Sequence, residues 1–175
     1  NPGTDLESDC GNMAFITGNG GGGAGNDDVD GADTWLISPV FDATEYVNPR
    51  VSFNYWFFNA GGNSAPNDSL SVYIRDGNGT WTFVTDFENN AQWVQSEFLI
   101  EDFVTPGNEI QVAFKTSDFS AFGSHIVEAG IDHFEVLSDG LVGINKLSLE
   151  NDYLIYPNPA TNQISIELGD KTTSH

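Results

Sequence analysis

Cysteine is almost missing from this chain. Cys10 stands alone among 175 residues, so no internal disulfide can form and stability must rest on packing or on bound ions. Positive charge is nearly as scarce, with 5 Lys and Arg against 26 Asp and Glu and a formal net charge of -21. Phosphate backbones and anionic membrane surfaces need a basic footprint, so nucleic acid is excluded as a partner and anionic lipid is disfavoured. No apolar run approaches the length of a membrane span, so no membrane insertion is expected. Histidine is limited to His125, His133 and His175, none of which sits in an H-E-x-x-H or other zinc-site spacing. There is no G-x-S-x-G, and Cys10 has no His partner nearby in sequence. With Arg50, Arg75, Lys115, Lys146 and Lys171 as the whole basic complement, a polysaccharide-lyase groove is hard to assemble. A carboxylate pair for glycoside hydrolysis stays open in so acidic a chain, but the clustered acids lie in Gly-rich turns, where holding a metal is the more natural use. The chain reads as non-catalytic.

Helix signals are also nearly absent, and what replaces them is turn chemistry. The 19 glycines and many Asn/Asp pairs punctuate short apolar segments in which aromatics make up 13% of all residues. This pattern predicts an all-β domain. Strands are expected near Met13–Thr17, Asp33–Ser38, Arg50–Asn59, Ser69–Asp76, Thr80–Asp86, Trp93–Leu99, Glu109–Ser117 and Ile131–Leu137. Period-2 alternation puts Val51, Phe53, Tyr55 and Phe57 on one face, as it does Leu70, Val72 and Ile74, and Ile110, Val112 and Phe114. One buried and one wet face per strand is the signature of an antiparallel sandwich. Asp76-Gly77-Asn78-Gly79 is a hairpin signal, and Asn59–Asp68 is expected as a surface loop. The length suits one main domain, residues 1–137, followed by a linker at 138–152 and a short segment at 153–175. The opening NPGTDLESDCGN reads as the interior of a larger precursor.

Two groups of acids could hold a cation. Asp27, Asp28, Asp30 and Asp33 crowd into NDDVDGAD, where mutual repulsion is relieved by a hard divalent ion such as Ca²⁺. Neighbouring glycines leave the backbone free to turn carbonyls inward. The alternative is a solvated acidic loop. In EAGIDHFEV, alternation that points Phe134 and Val136 to the core points Asp132 the same way. A buried carboxylate needs a partner, and a metal shared with Glu128 or with the Asp28–Asp33 loop supplies one. A separate, aromatic signal comes from Trp56, Phe58 and Tyr73, which alternate onto faces opposite the apolar ones, together with Trp81 and Trp93. Such rings can stack on sugars; the competing reading is core packing in a two-sheet protein.

Two resemblances add to this. ITGNGG, DVDGADTWLISPVFD, PRVSFNYWF, NDSLSVYI, VTPGNEIQVAFKTSD and HIVEAGIDHFEV occur in an order that resembles the jelly-roll, MAM-like or choice-of-anchor modules beside secreted bacterial metallopeptidases. The likeness covers roughly Cys10–Leu137. It implies an antiparallel jelly-roll β-sandwich with a structural Ca²⁺ held by Asp28, Asp30 and Asp132, with Glu128 and Asp68 as further ligands. Family members often read Gly-Gly-x-Thr after DVD; here the stretch is Gly31-Ala32-Asp33-Thr34, so Asp33 adds or replaces a ligand. Further on, IYPNPATNQISIEL (155–168) resembles the start of a type IX secretion sorting domain, truncated at His175. Together these imply a calcium-stabilised, non-catalytic module, secreted or surface-bound through the type IX machinery and covalently linked to the catalytic domain, most often a peptidase, of a larger precursor. One alternative is a carbohydrate-binding module that meets a polysaccharide through Trp56, Phe58, Tyr73 and Trp81. Another is a cell-surface adhesin module that meets a protein surface.

Overall fold

The computed structural model describes residues 2–3, 5–6, 11–23, 25–61, 65–118 and 125–141, with the backbone of 153–156 and 165–168. The chain divides into two units, Asn1–Val142 and Gly143–His175.

Eight strands build the two main sheets of the first unit: β1 (Phe15–Ile16), β2 (Gly31–Ile37), β4 (Arg50–Ala60), β5 (Leu70–Asp76), β6 (Thr82–Phe87), β7 (Asn90–Leu99), β8 (Ile110–Asp118) and β9 (Ile126–Leu137). They form one sheet in the order β1-β9-β4-β7 (sheet A) and a second in the order β2-β8-β5-β6 (sheet B). All pairings are antiparallel. The chain crosses between sheets at nearly every connection, and only the β5–β6 hairpin stays within one. That winding is a jelly-roll β-sandwich. Every strand expected from the sequence is present. The largest difference is β9, which begins at Ile126 rather than Ile131.

The alternation in sequence becomes burial. Val51, Phe53 and Phe57 of β4 are fully buried, facing Val72 and Ile74 of β5 and Val112 of β8. Rings lock the layers together: Phe53 meets Phe114 edge-on at 4.9 Å, and Tyr55 stacks on Phe87 at 3.9 Å. At the β5–β6 turn, Gly77 takes a φ of 53° and the Gly79 amide donates to the Asp76 carbonyl at 3.0 Å. Only a residue without a Cβ takes that conformation at no cost.

Two short strands, not foreseen, form a separate two-stranded sheet, one just before β4 and one just after β9. β3 (Tyr46–Val47) pairs with β10 (Gly140–Leu141). The chain therefore stays on the sandwich as far as Leu141. In the second unit, β11 (Tyr153–Tyr156) pairs with β12 (Ser165–Leu168) as an antiparallel pair. The Pro-Asn-Pro segment between them and most of the expected linker lie outside the described residues.

Candidate functional site

The outer face of sheet B carries the most exposed aromatic cluster. Leu36 of β2, Leu70, Val72 and Ile74 of β5, and Phe114 of β8 turn inward. Their neighbours must therefore turn out. The register sets Trp35 opposite Lys115, Tyr73 opposite both Ala113 and Phe83, and Arg75 opposite Gln111. Trp35 lies 5.5 Å from Tyr73 and 6.3 Å from Trp81, and Tyr73 lies 5.8 Å from Phe83. Trp35 keeps 40% of its surface exposed and Phe83 50%. Ala113, facing outward yet fully buried, lies beneath this layer.

Cations and amides border the rings. The Arg75 guanidinium sits 4.3 Å from the centre of the Trp81 ring and donates to Gln111 Oε1 at 2.8 Å. The Lys115 ammonium lies 5.5 Å from the Trp35 ring and 3.0 Å from Asp33 Oδ2. Two of the five basic residues of this acidic protein thus stand on one aromatic face. Flat rings bordered by hydrogen-bonding groups can stack on an apolar ring face while bonding its polar rim.

The four aromatics expected to bind ligand divide between the two sheets. Tyr73 and Trp81 belong to the sheet B face. Trp56 and Phe58 stack together at 6.1 Å on the outer face of sheet A, where Trp56 is only 7% exposed. Trp56 therefore reads as packing, and one ligand cannot touch both pairs. Sequence reasoning left out Trp35 and Phe83. Trp35 was legible as the outward residue beside inward Leu36, but its partners were not, because alternation gives the face and not the register.

The acids expected to hold calcium are also spread. Asp28 is the best placed: both carboxylate oxygens are buried and accept no hydrogen bond. The Val29 amide beside it donates to the Val127 carbonyl at 2.9 Å, which fixes Asp28 against the start of β9. Glu128 and Asp132 of β9 are both buried, 4% and 7% exposed. Asp132 does not face the core, as alternation from Phe134 implied. Ser52 pairs with Glu135 but Asn54 pairs with Asp132, so β9 holds an extra residue there, and His133 takes a φ of 49°. This bulge reverses the alternation. Phe134 packs inward on Phe114, while Asp132 shares the outer face with Asn54, Trp56 and Phe58. There the amides of Leu6 and His133 donate to its two oxygens at 3.4 and 2.7 Å. Asp30 is exposed, and Asp33 is engaged by Lys115. Asp68 lies elsewhere, with Asp118 and His125.

A pocket of about 190 Å³ opens between the sheets at the β1/β2 edge, lined by Phe15, Trp35, Leu70, Phe114 and Ile131 among others. Among the described residues, no helix is long and apolar enough to cross a membrane.

No family model and no curated protein matches the chain. A search of solved structures gives a match titled "CBM4 structure and function", at 12% identity and a TM-score of 0.33, covering 72% of this chain and 94% of that one. At that distance neither residues nor ligand carry over.

Proposed function

We propose that the chain is a non-catalytic binding module whose sheet B face takes the sugar rings of a polysaccharide. The observation that supports this best is the outward-facing layer of exposed Trp35 and Phe83 with half-buried Tyr73 and Trp81, bordered by Arg75, Gln111 and Lys115. Trp35, Tyr73 and Phe83 stand on strands of one sheet and Trp81 directly precedes β6, so little ordering is needed when a ligand docks. Affinity electrophoresis of the full chain in gels containing neutral and uronic-acid polysaccharides tests the reading. Retardation by at least one, lost in the Trp81→Ala variant, is expected. Unretarded migration in every gel would overturn it.

A calcium ion at Asp28 is the accompanying proposal. A buried carboxylate with no hydrogen-bond donor is stabilised by a cation, and an oxygen ligand beside flexible glycines suits Ca²⁺. Glu128 and Asp132 are the further acids proposed to complete its charge. The ion's role is structural: it neutralises the acids and stiffens the Gly/Asp loop. Melting the protein in calcium and in EDTA tests this, and equal melting temperatures would sink it.

The resemblances read from the sequence complete the proposal. The module would be secreted or surface-bound, exported through the type IX machinery by a signal starting at IYPNPATNQISIEL. It would be covalently linked to a catalytic domain, a peptidase by family likeness. Fusing residues 143–175 to the C-terminus of a reporter in a type IX-competent host tests export; a reporter retained in the periplasm counts against it.

A further inference from the structure

Alternation along four segments delivers five polar side chains to one end of the sandwich, between the sheets. Asn59 ends the inward series of β4, and Thr116 and Asp118 end that of β8. Asp68 precedes inward Leu70 by two residues, and His125 precedes inward Val127 by two. His125, Asp118, Thr116 and Asn59 are buried, 2%, 4%, 3% and 1% exposed, and Asp68 is half-buried with its side chain 7% exposed. His125 Nδ1 lies 3.5 Å from Asp68 Oδ2 and 4.0 Å from Asp118 Oδ1. One ligand atom from each of the three lies within 4.8 Å of the others, the one such group of three or more His, Cys, Asp or Glu among the described residues.

From these contacts we infer that Asp68, Asp118 and His125 form a site for a divalent transition metal, of which Zn²⁺ is the natural occupant. Zinc binds imidazole nitrogen and carboxylate oxygen at about 2.0–2.2 Å, which sets neighbouring ligand atoms roughly 3–3.6 Å apart. The observed 3.5 and 4.0 Å need only a small contraction. Both exceed the ordinary 2.7–3.2 Å range of N–H···O bonds. An imidazole ligand argues for zinc or its neighbours over calcium, which selects oxygen alone.

Charge and unmet hydrogen bonding point the same way. Two carboxylates with buried side chains face one imidazole. At the same end, Asn59 Oδ1 and Thr116 Oγ1 are buried without a hydrogen-bond partner. The Asn59 amide nitrogen donates to the Asp68 carbonyl at 2.8 Å, which holds the side chain beside the group. Zinc bound by three protein ligands has a fourth position open to water or to such an oxygen. With ligands from the start of β5, the end of β8 and the start of β9, the ion would tie sheet A to sheet B in a protein that has no disulfide to do so. The site is separate from the aromatic face and from Asp28, and stands independently of both.

The full chain, stripped with EDTA and dialysed, would be titrated with zinc chloride against a chromophoric chelator. The expected result is one tightly held equivalent and a higher melting temperature. Asp118→Asn and His125→Gln should each lose the equivalent and the zinc-dependent shift, while Glu101→Gln, at an exposed acid outside every proposed site, keeps both. Zinc-edge X-ray absorption of the loaded wild type needs no variant, and should show one imidazole with oxygen ligands. No retained equivalent, equal retention in Asp118→Asn, or an absorption spectrum lacking imidazole would overturn the assignment.

Discussion

Trp35→Ala should separate binding from folding. Trp35 touches two other rings, Tyr73 at 5.5 Å and Trp81 at 6.3 Å, and carries the Lys115 ammonium at 5.5 Å. Each aromatic contact is worth about 0.5–1.5 kcal/mol beyond area. The exposed cation contact adds about 0.5–1 kcal/mol. With 40% of the ring already in solvent, the low ends apply, and the loss of stability should be about 1.5–2 kcal/mol. For a domain of this size that lowers the melting temperature by roughly 3–8 °C, leaving the protein folded at 25 °C. Binding should suffer more. A central aromatic anchor typically contributes at least about 2 kcal/mol, so polysaccharide affinity should fall about 30-fold or more. Trp35→Phe should recover most of it. The assay is calorimetric titration with the best-retarding polysaccharide, beside a melt of each variant. Trp56→Ala is the control from the opposite face: its buried ring should cost about 3–5 kcal/mol of stability without a specific loss of affinity. If Trp35→Ala binds within threefold of wild type while folded, the sheet B face is not the binding surface and the reasoning fails.

Three further outcomes follow from the structure. Asp28→Asn removes a buried charge, so it should raise the melting temperature in EDTA and abolish the rise that calcium gives the wild type; a loss of stability in EDTA would contradict the account of Asp28. At the β9 bulge, His133 holds a φ of 49° and its ring makes a partly exposed contact with the Glu135 carboxylate at 3.3 Å. His133→Gly should therefore be neutral or slightly stabilising in urea titration, while β-branched His133→Val should cost about 1–2 kcal/mol or more. Asp139 accepts from Asn48 Nδ2 at 3.0 Å and meets Arg50 Nη1 at 2.9 Å, and these contacts hold its carboxyl below the ordinary 3.8. Because the folded value is the depressed one, its stabilisation is complete above the ordinary carboxylate range and fades as pH falls through the lower value. Carboxyl NMR should place the Asp139 midpoint below that of an unstructured Asp, and Arg50→Ala should move it upward.

The strands and their inward faces were legible in the sequence because period-2 alternation reports burial directly, residue by residue. Val51, Phe53, Tyr55 and Phe57 needed no knowledge of what lay opposite. Register needs exactly that knowledge, and the functional surfaces depend on it. Trp35 and Phe83 flank Tyr73 only because β2, β8, β5 and β6 are neighbours in this order. The bulge shows a second limit. Alternation carried forward from Phe134 put Asp132 in the core, and one extra residue at His133 reversed it without any glycine or proline to announce the change.

The metal-ligating group shows why spacing motifs fail where sandwich ends succeed. Asp68, Asp118 and His125 match no zinc signature, because such signatures record ligands that share one helix or one turn. Here each ligand extends the inward series of a different strand by a step or two, past the point where apolar side chains stop. The local signal is therefore a polar residue at an inward position at or just beyond a strand's end, and it gains meaning only when several strands end at the same place. The jelly-roll winding brings β4, β5, β8 and β9 to that common end. The same register that builds the core thus collects Asn59, Asp68, Thr116, Asp118 and His125 beyond it. Two carboxylates gathered beside an imidazole in a protein of net charge -21 suit a divalent ion.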